Sequence, residues 1–178
     1  KMIIAHGRLG VSFFDLNSKR LTNQFRLVQR QLPLESMATG VTVQGKYAYV
    51  VMDNLSLVKN GKPAFRGIIV IDMETESVVR ELEGIDPGAD SISSDANNVI
   101  ISFAGYPVWK YTIASLQGTK MPEPALRLWK FPAPGHPVGH AVMDGTYYYT
   151  CFLKSPPNPG GPYIPAPAAL NRKQLLLD

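Results

Sequence analysis

Apolar and polar residues alternate along this chain in short runs, and the runs return in the same order. Gly67-Ile68-Ile69-Val70-Ile71-Asp72 is a continuous apolar run closed by an acid. Met73-Glu74-Thr75-Glu76 is a polar turn, and Ser77-Val78-Val79 opens a second run. Runs of this length, rich in β-branched residues and bounded by turn residues, predict strands. Gly10-Val11-Ser12-Phe13-Phe14-Asp15 followed by Leu16-Asn17-Ser18-Lys19-Arg20-Leu21 repeats the phrase. Lys173-Gln174-Leu175-Leu176-Leu177-Asp178 reads as its opening half. Helical spacing of apolar residues is almost absent. Only 114–119 has room for a helical turn, and a short connector is expected there.

A second family of landmarks fixes the period. Gly45-Lys46-Tyr47-Ala48-Tyr49-Val50-Val51 aligns with Ala96-Asn97-Asn98-Val99-Ile100-Ile101-Ser102 and with Gly145-Thr146-Tyr147-Tyr148-Tyr149-Thr150-Cys151, at steps of 51 and 49 residues. Turn residues precede each of these runs, as expected where a hairpin joins two antiparallel strands. Ahead of each turn lies a run of small residues: 38–43, 90–94 and 139–143. Each unit therefore carries a small-residue strand, a β-branched or aromatic strand, an apolar strand like 67–72 and a strand like 77–82.

Four-strand units of this period predict an all-β chain, a β-propeller of four-stranded antiparallel blades. The small residues fit the innermost strands, where blades converge and bulky side chains would collide. The sequence resembles the YVTN-type β-propeller repeat family, whose blades read "G-I-x-V-I-D-x-x-T-x-x-V-V" and then "P-x-G-I-A-V-x-x-D-G-x-x-Y-V". Segments 67–79, 87–101 and 137–150 carry the match, and 10–21 carries it more loosely. Tyr106-Pro107-Val108-Trp109-Lys110-Tyr111-Thr112 departs from it, with no Asp at the turn. The resemblance implies a secreted, periplasmic or cell-surface protein. It implies no single activity, because one fold hosts many unrelated roles.

Laid end to end, the units span 10–55, 67–105 and 106–153, with cut blade strands at 1–5 and 173–178. Propellers close with about four to eight blades, and repeat units do not bury their apolar faces alone. The expectation is an incomplete propeller, its remaining blades supplied by further chain or by a protein partner. Two insertions, 54–66 and 154–172, occupy the same slot of successive units. Loops longer than a connection requires are where binding tends to sit. Phe65, Tyr163 and Ile164 are the candidate partner contacts on them.

Composition narrows the field without naming a function. Hydrophobic residues make up 45% and charged residues 18%, the balance of a folded domain. No apolar run is long enough for a membrane-spanning helix. The net charge of +4 comes from scattered residues such as Lys19, Arg20, Arg26 and Arg30, then Lys59, Lys62 and Arg66, then Arg127 and Lys130. They form no groove-tracking stripe, so nucleic-acid binding is not expected. The single cysteine, Cys151, excludes an internal disulfide, a two-cysteine haem attachment and a multi-cysteine zinc site in this chain.

Candidate chemistry is sparse. His136 and His140 stand four apart in His136-Pro137-Val138-Gly139-His140, where Pro137 and Gly139 argue against a helix. In an extended segment they lie about 13 Å apart at ~3.3 Å per residue, too far for one ion. Aligned across units, His140 takes the place of Asp90 and Gly40 at the start of an innermost strand. With His136, these residues mark a candidate ligand site at the channel mouth. A His and a carboxylate there would exchange protons or help ligate a metal; equally, they would form a polar link that sets blade register. His6, at the head of His6-Gly7-Arg8-Leu9-Gly10, reads as part of a tight turn joining two strands. Asp15, Asp72 and Asp178 recur before turns and read as scaffold, since short acids bond their own backbone there. Tyr47, Tyr49 and Val51 alternate onto one strand face, as do Tyr147, Tyr149 and Cys151, and both sets read as core.

No nucleophile–base pair, paired-carboxylate motif, phosphate loop or metal-spaced cluster is present, so no catalytic residue, metal site or cofactor is assigned. The expected function is a binding or assembly module whose loops and channel mouth dock a protein or ligand. The alternative is a subunit of a quinone-, haem- or metal-dependent redox enzyme with its site at that mouth.

Overall fold

The computed structural model describes residues 1–7, 10–25, 36–54, 65–103, 108–128, 136–137, 142–144, 147–154 and 164–170. They form an all-β chain of four antiparallel sheets. The first sheet orders β1 (Met2–Ala5), β2 (Val11–Asp15) and β3 (Arg20–Phe25) side by side. The second orders β4 (Ser36–Gln44), β5 (Tyr47–Asn54), β6 (Gly67–Asp72) and β7 (Ser77–Glu83). The third orders β8 (Ala89–Ser94), β9 (Asn98–Phe103), β10 (Val108–Thr112) and β11 (Leu126–Leu128). In the fourth, β12 (His136–Pro137) and β13 (Val142–Asp144) both pair with β14 (Tyr147–Lys154), which also pairs with β15 (Ile164–Leu170). A single 3-10 turn, Ile113–Ser115, is the helical element among the described residues. It sits where the sequence left room for one, starting a residue earlier.

The strand–turn–strand phrase folds as read. Asp72 Oδ1 accepts the amide protons of Glu74 and Thr75 at 2.9 and 3.1 Å, and Asp15 Oδ1 accepts those of Asn17 and Ser18 at 2.8 and 2.7 Å. These bonds satisfy amides that the reversal would otherwise leave unpaired. In the departing unit Thr112 takes the acid's place, its Oγ1 accepting from the Ser115 amide at 3.2 Å. Asp178 lies outside the described residues.

Gly67 heads the phrase for a steric reason: a Cβ there would stand 1.8 Å from the Leu82 carbonyl oxygen. All six residues of β6 are buried because its two faces meet different sheets. Ile69 and Ile71 join Ala48, Val50 and Met52 against Ile3, Val11 and Phe13 of the first sheet. Ile68 and Val70 join Tyr49, Val51 and Leu82 against Ile92, Val99, Ile101, Trp109 and Tyr111 of the third. A sheet covered on both sides needs a continuous apolar run rather than an alternating one. Tyr49 and Val51 are thus core residues, as expected, while the side chains of Tyr147, Tyr149 and Cys151 lie outside the description.

The sheets break at different points from the repeats. Segment 10–55 takes β2 and β3 from the first sheet and β4 and β5 from the second; 67–105 and 106–153 straddle two sheets in the same way. A periodic sequence has no intrinsic starting point, and only hydrogen bonding decides which four strands share a sheet. The 154–172 segment also needs correcting as an insertion loop. Within it β15 pairs with β14 from Lys154↔Ile164 to Tyr148↔Leu170. Its two prolines, Pro165 and Pro167, are two residues apart, so both missing N–H groups fall on one side of the strand, which an edge strand tolerates.

Consecutive sheets meet through their small-residue strands. β8 packs against β4 and also against β13, while β4 packs against β1. A Cβ on Gly40 would come within 3.1 Å of the Ile92 amide nitrogen and 3.2 Å of the Ser91 Cα, so β4 and β8 approach closely because glycine lies between them. Thr39 Oγ1 donates to the Ala89 carbonyl at 2.9 Å, and the hydroxyls of Thr42 and Ser94 lie 2.7 Å apart.

Candidate functional site

The residues with most chemistry gather at the end of the second and third sheets where β4 and β8 begin. Both strands open with a bulge. The register of β4 shifts between Ala38 and Gly40, and that of β8 shifts between Ala89 and Ser91. Thr39 and Asp90 are the extra residues. A bulged residue is re-aimed relative to the pleat. The bulges correct the sequence alignment by one position: Asp90 is the counterpart of Thr39, and Gly40 is the counterpart of Ser91. Asp90 itself is half-buried.

Beside it lies a carboxylate that the sequence reading missed. Asp53, next to last in β5, is 2% exposed. Its Oδ2 accepts the Gly88 amide proton at 3.0 Å, and its Oδ1 lies 3.6 Å from Arg66 Nε. The Arg66 carbonyl in turn accepts the amides of Gly84 and Ile85 at 2.9 and 3.4 Å. Asp53 and Arg66 thus clamp 84–88, the connection that delivers Asp90 into β8. A buried charge is tolerated only when paired and hydrogen-bonded, and this one is both. Its one sequence signal was uniqueness: the aligned units have Ala104 and Leu153 where this unit has Asp53. The arrangement can hold the loop end of two sheets in fixed relation and present Asp90 beside it.

The other candidates distribute differently. His140 and Tyr163 lie outside the described residues, so the pairing of His140 with Asp90 does too. His136 is in β12, paired through its backbone with Leu153. Ile164 is the first residue of β15, a strand position rather than a loop tip. Phe65 is corrected outright. It is 7% exposed and packs among Ile3, Val11 and Phe13, while its carbonyl accepts from Ser36 Oγ at 3.2 Å. An aromatic ring flanking a loop is buried when a neighbouring sheet offers apolar surface. His6 lies in a tight reversal in which its amide donates to the Gly10 carbonyl at 2.8 Å.

The recurrent acids behave as scaffold. Amide donors from Thr75 and then Glu74 hold the Asp72 carboxyl below its ordinary value, with Lys46 Nζ adding to this at 3.4 Å. The Ser18 backbone amide does the same for Asp15. Among the described residues no three His, Cys, Asp or Glu side chains converge so as to hold a metal ion. None of the described helices is long and apolar enough to cross a membrane.

No family model matches the chain, and neither does any curated protein. Among solved structures, a chain of the Kuenenia stuttgartiensis hydrazine synthase is similar at 14% identity and a TM-score of 0.41. The match covers 90% of this chain, which spans 60% of the length of that one.

Proposed function

We propose that this chain is a stretch of β-propeller of the YVTN-repeat kind, working as a binding and assembly module within a larger propeller. The observation that carries the reading is the contact between first strands of successive sheets. Gly40 lies against Ser91 and Ile92, Thr39 bonds Ala89, and Thr42 meets Ser94, all between β4 and β8. Blades that converge on a common axis require such close, small-residue contacts at their inner edges. The Asp53–Arg66 clamp and Asp90 share one end of the second and third sheets. We assign that end to docking a protein partner or ligand, because a rigid, polar sheet end suits recognition. Export to the periplasm or cell surface belongs to the same proposal through the repeat resemblance.

Cross-linking mass spectrometry of the native material through Lys59, Lys62 and Lys154 tests it. Intermolecular links are expected to concentrate on those lysines. Links confined within one chain, or haem or metal at one per chain in the absorption spectrum and elemental analysis, would overturn it.

A further inference from the structure

The third sheet makes one connection unlike its counterparts. The turns 16–19 and 73–76 join β2 to β3 and β6 to β7. The equivalent connection in the third sheet, from β10 to β11, runs from 113 to 125. It does not stay with its own sheet. The Met121 amide donates to the Glu83 carbonyl at 2.9 Å, and the Glu83 amide donates to the Thr119 carbonyl at 3.4 Å. Lys120 thus lies opposite Glu83 in a parallel bridge. Upstream, Arg80 Nη1 donates to the Leu116 carbonyl at 3.3 Å and to Gln117 Oε1. The connection is a strap laid along the outer edge of β7, the last strand of the second sheet.

Little holds the strap down. Leu116 is its one buried residue, 0% exposed, and it joins Tyr49, Leu82 and Tyr111 in the core between the second and third sheets. Ile113 and Met121 pack against the same cluster and are half-buried. Ala114, Ser115, Gln117, Gly118, Thr119 and Lys120 are exposed. A segment with one buried anchor and few hydrogen bonds opens at lower cost than the sheets beneath it. Under it lie a strand edge and the slot that Leu116 fills. An edge of this kind accepts an added strand through main-chain bonds, while a side-chain pocket sets which strand. We infer that the strap is a releasable plug: when it lifts, the β7 edge and the Leu116 slot dock an extended segment of a partner protein. The strap itself states the chemistry of that segment. It runs parallel to β7, seats a leucine in the slot, and carries a cation four residues later opposite Glu83, as Leu116 and Lys120 do. The inference is independent of the docking assigned to the Asp53–Asp90 end.

A fluorescent peptide of residues 113–121, titrated with the full 178-residue chain, tests it. Wild type should bind the peptide weakly, because its own strap fills the slot. Leu116→Ala in the chain removes the anchor and should tighten binding by about tenfold or more, since the slot stands open in a larger fraction of molecules. Gln117→Ala removes an exposed strap contact to Arg80 and leaves the slot intact, so it should tighten binding by less. It serves if circular dichroism shows that Leu116→Ala does not fold. A peptide that itself carries Leu116→Ala should bind none of the three chains. In hydrogen exchange the Glu83 and Met121 amides, bonded across the strap, should open together, about a hundredfold or more faster than those of β9. Binding of neither peptide, equal binding of both, dimers that exchange straps in place of peptide binding, or Glu83 and Met121 amides as slow as those of β9 would overturn the inference.

Discussion

The junction between the first and second sheets and that between the second and third use the same slots but different side chains. At the first junction the cover is Ile3, Val11 and Phe13, a mainly aliphatic layer. Its inner edge is a backbone pair: the Gly7 and Ala38 amides each donate to the other's carbonyl, at 3.1 and 3.0 Å. Its rim is ionic, with Lys1 Nζ 2.9 Å and Thr22 Oγ1 3.2 Å from Glu76 Oε1. The second junction buries aromatic rings, Tyr49, Trp109 and Tyr111, with the Phe103 and Trp109 centroids 4.6 Å apart. Its inner edge is made by side chains and by the absence of one at Gly40. Its rim is Arg80, bonded to the Leu116 carbonyl at 3.3 Å and to Gln117 Oε1. Repetition sets which face is buried; the residues filling the slots set how closely the inner strands must approach.

The contrast can be tested from its centre outward. Trp109→Ala should cost about 3–5 kcal/mol in urea unfolding, since Trp109 is 4% exposed and its removal leaves a large cavity in the core. Phe13→Ala, at the aliphatic junction, should cost no more; a larger cost there would reverse the ranking of the two junctions. Gly40→Val should destabilise by about 1–3 kcal/mol through overpacking against the Ser91 and Ile92 backbone. If Gly40→Val is neutral, the inner strands do not hold the close approach that the propeller reading needs.

At the first rim, Glu76→Gln should cost under about 1 kcal/mol, because a pair at the rim is screened. Burial pushes the Glu76 carboxyl up, but Lys1 and Thr22 outweigh it and the net shift is downward from 4.5. Its contribution is therefore complete above pH 4.5 and is lost as pH falls through the lower folded value. Unfolding titrations of wild type and Glu76→Gln should converge in acid; parallel curves would show that the rim pair is idle. The smallest effect expected is a gain. Thr112→Asp restores the acid used at Asp15 and Asp72 and should stabilise the third sheet by a few tenths of a kcal/mol, read as a rise in Tm.

Much of the local structure was legible along the chain. The recurring acids announced turns because a short carboxylate bonds amides two and three residues on, which is a property of adjacent residues alone. The small-residue runs announced inner strands because glycine, alanine and serine suit close backbone approach. Legibility stopped where distant residues compete. Ile164-Pro165-Ala166-Pro167 reads as loop by composition, yet an edge position accepts its prolines. Phe65 reads as a loop aromatic, yet the first sheet supplies the surface that buries it. Asp53 gives almost no local signal, since its partners Arg66 and Gly88 come from two other connections.

By itself, then, the sequence determined strand identity, turn chemistry and the period, all of which follow from side-chain size and hydrogen bonding within a few residues. Tertiary structure alone decided where one sheet stops and the next begins, which residues bulge at Thr39 and Asp90, and that Asp53 would be paired rather than exposed. A repeating pattern specifies the kind of strand that comes next, and only packing shows which sheet that strand joins.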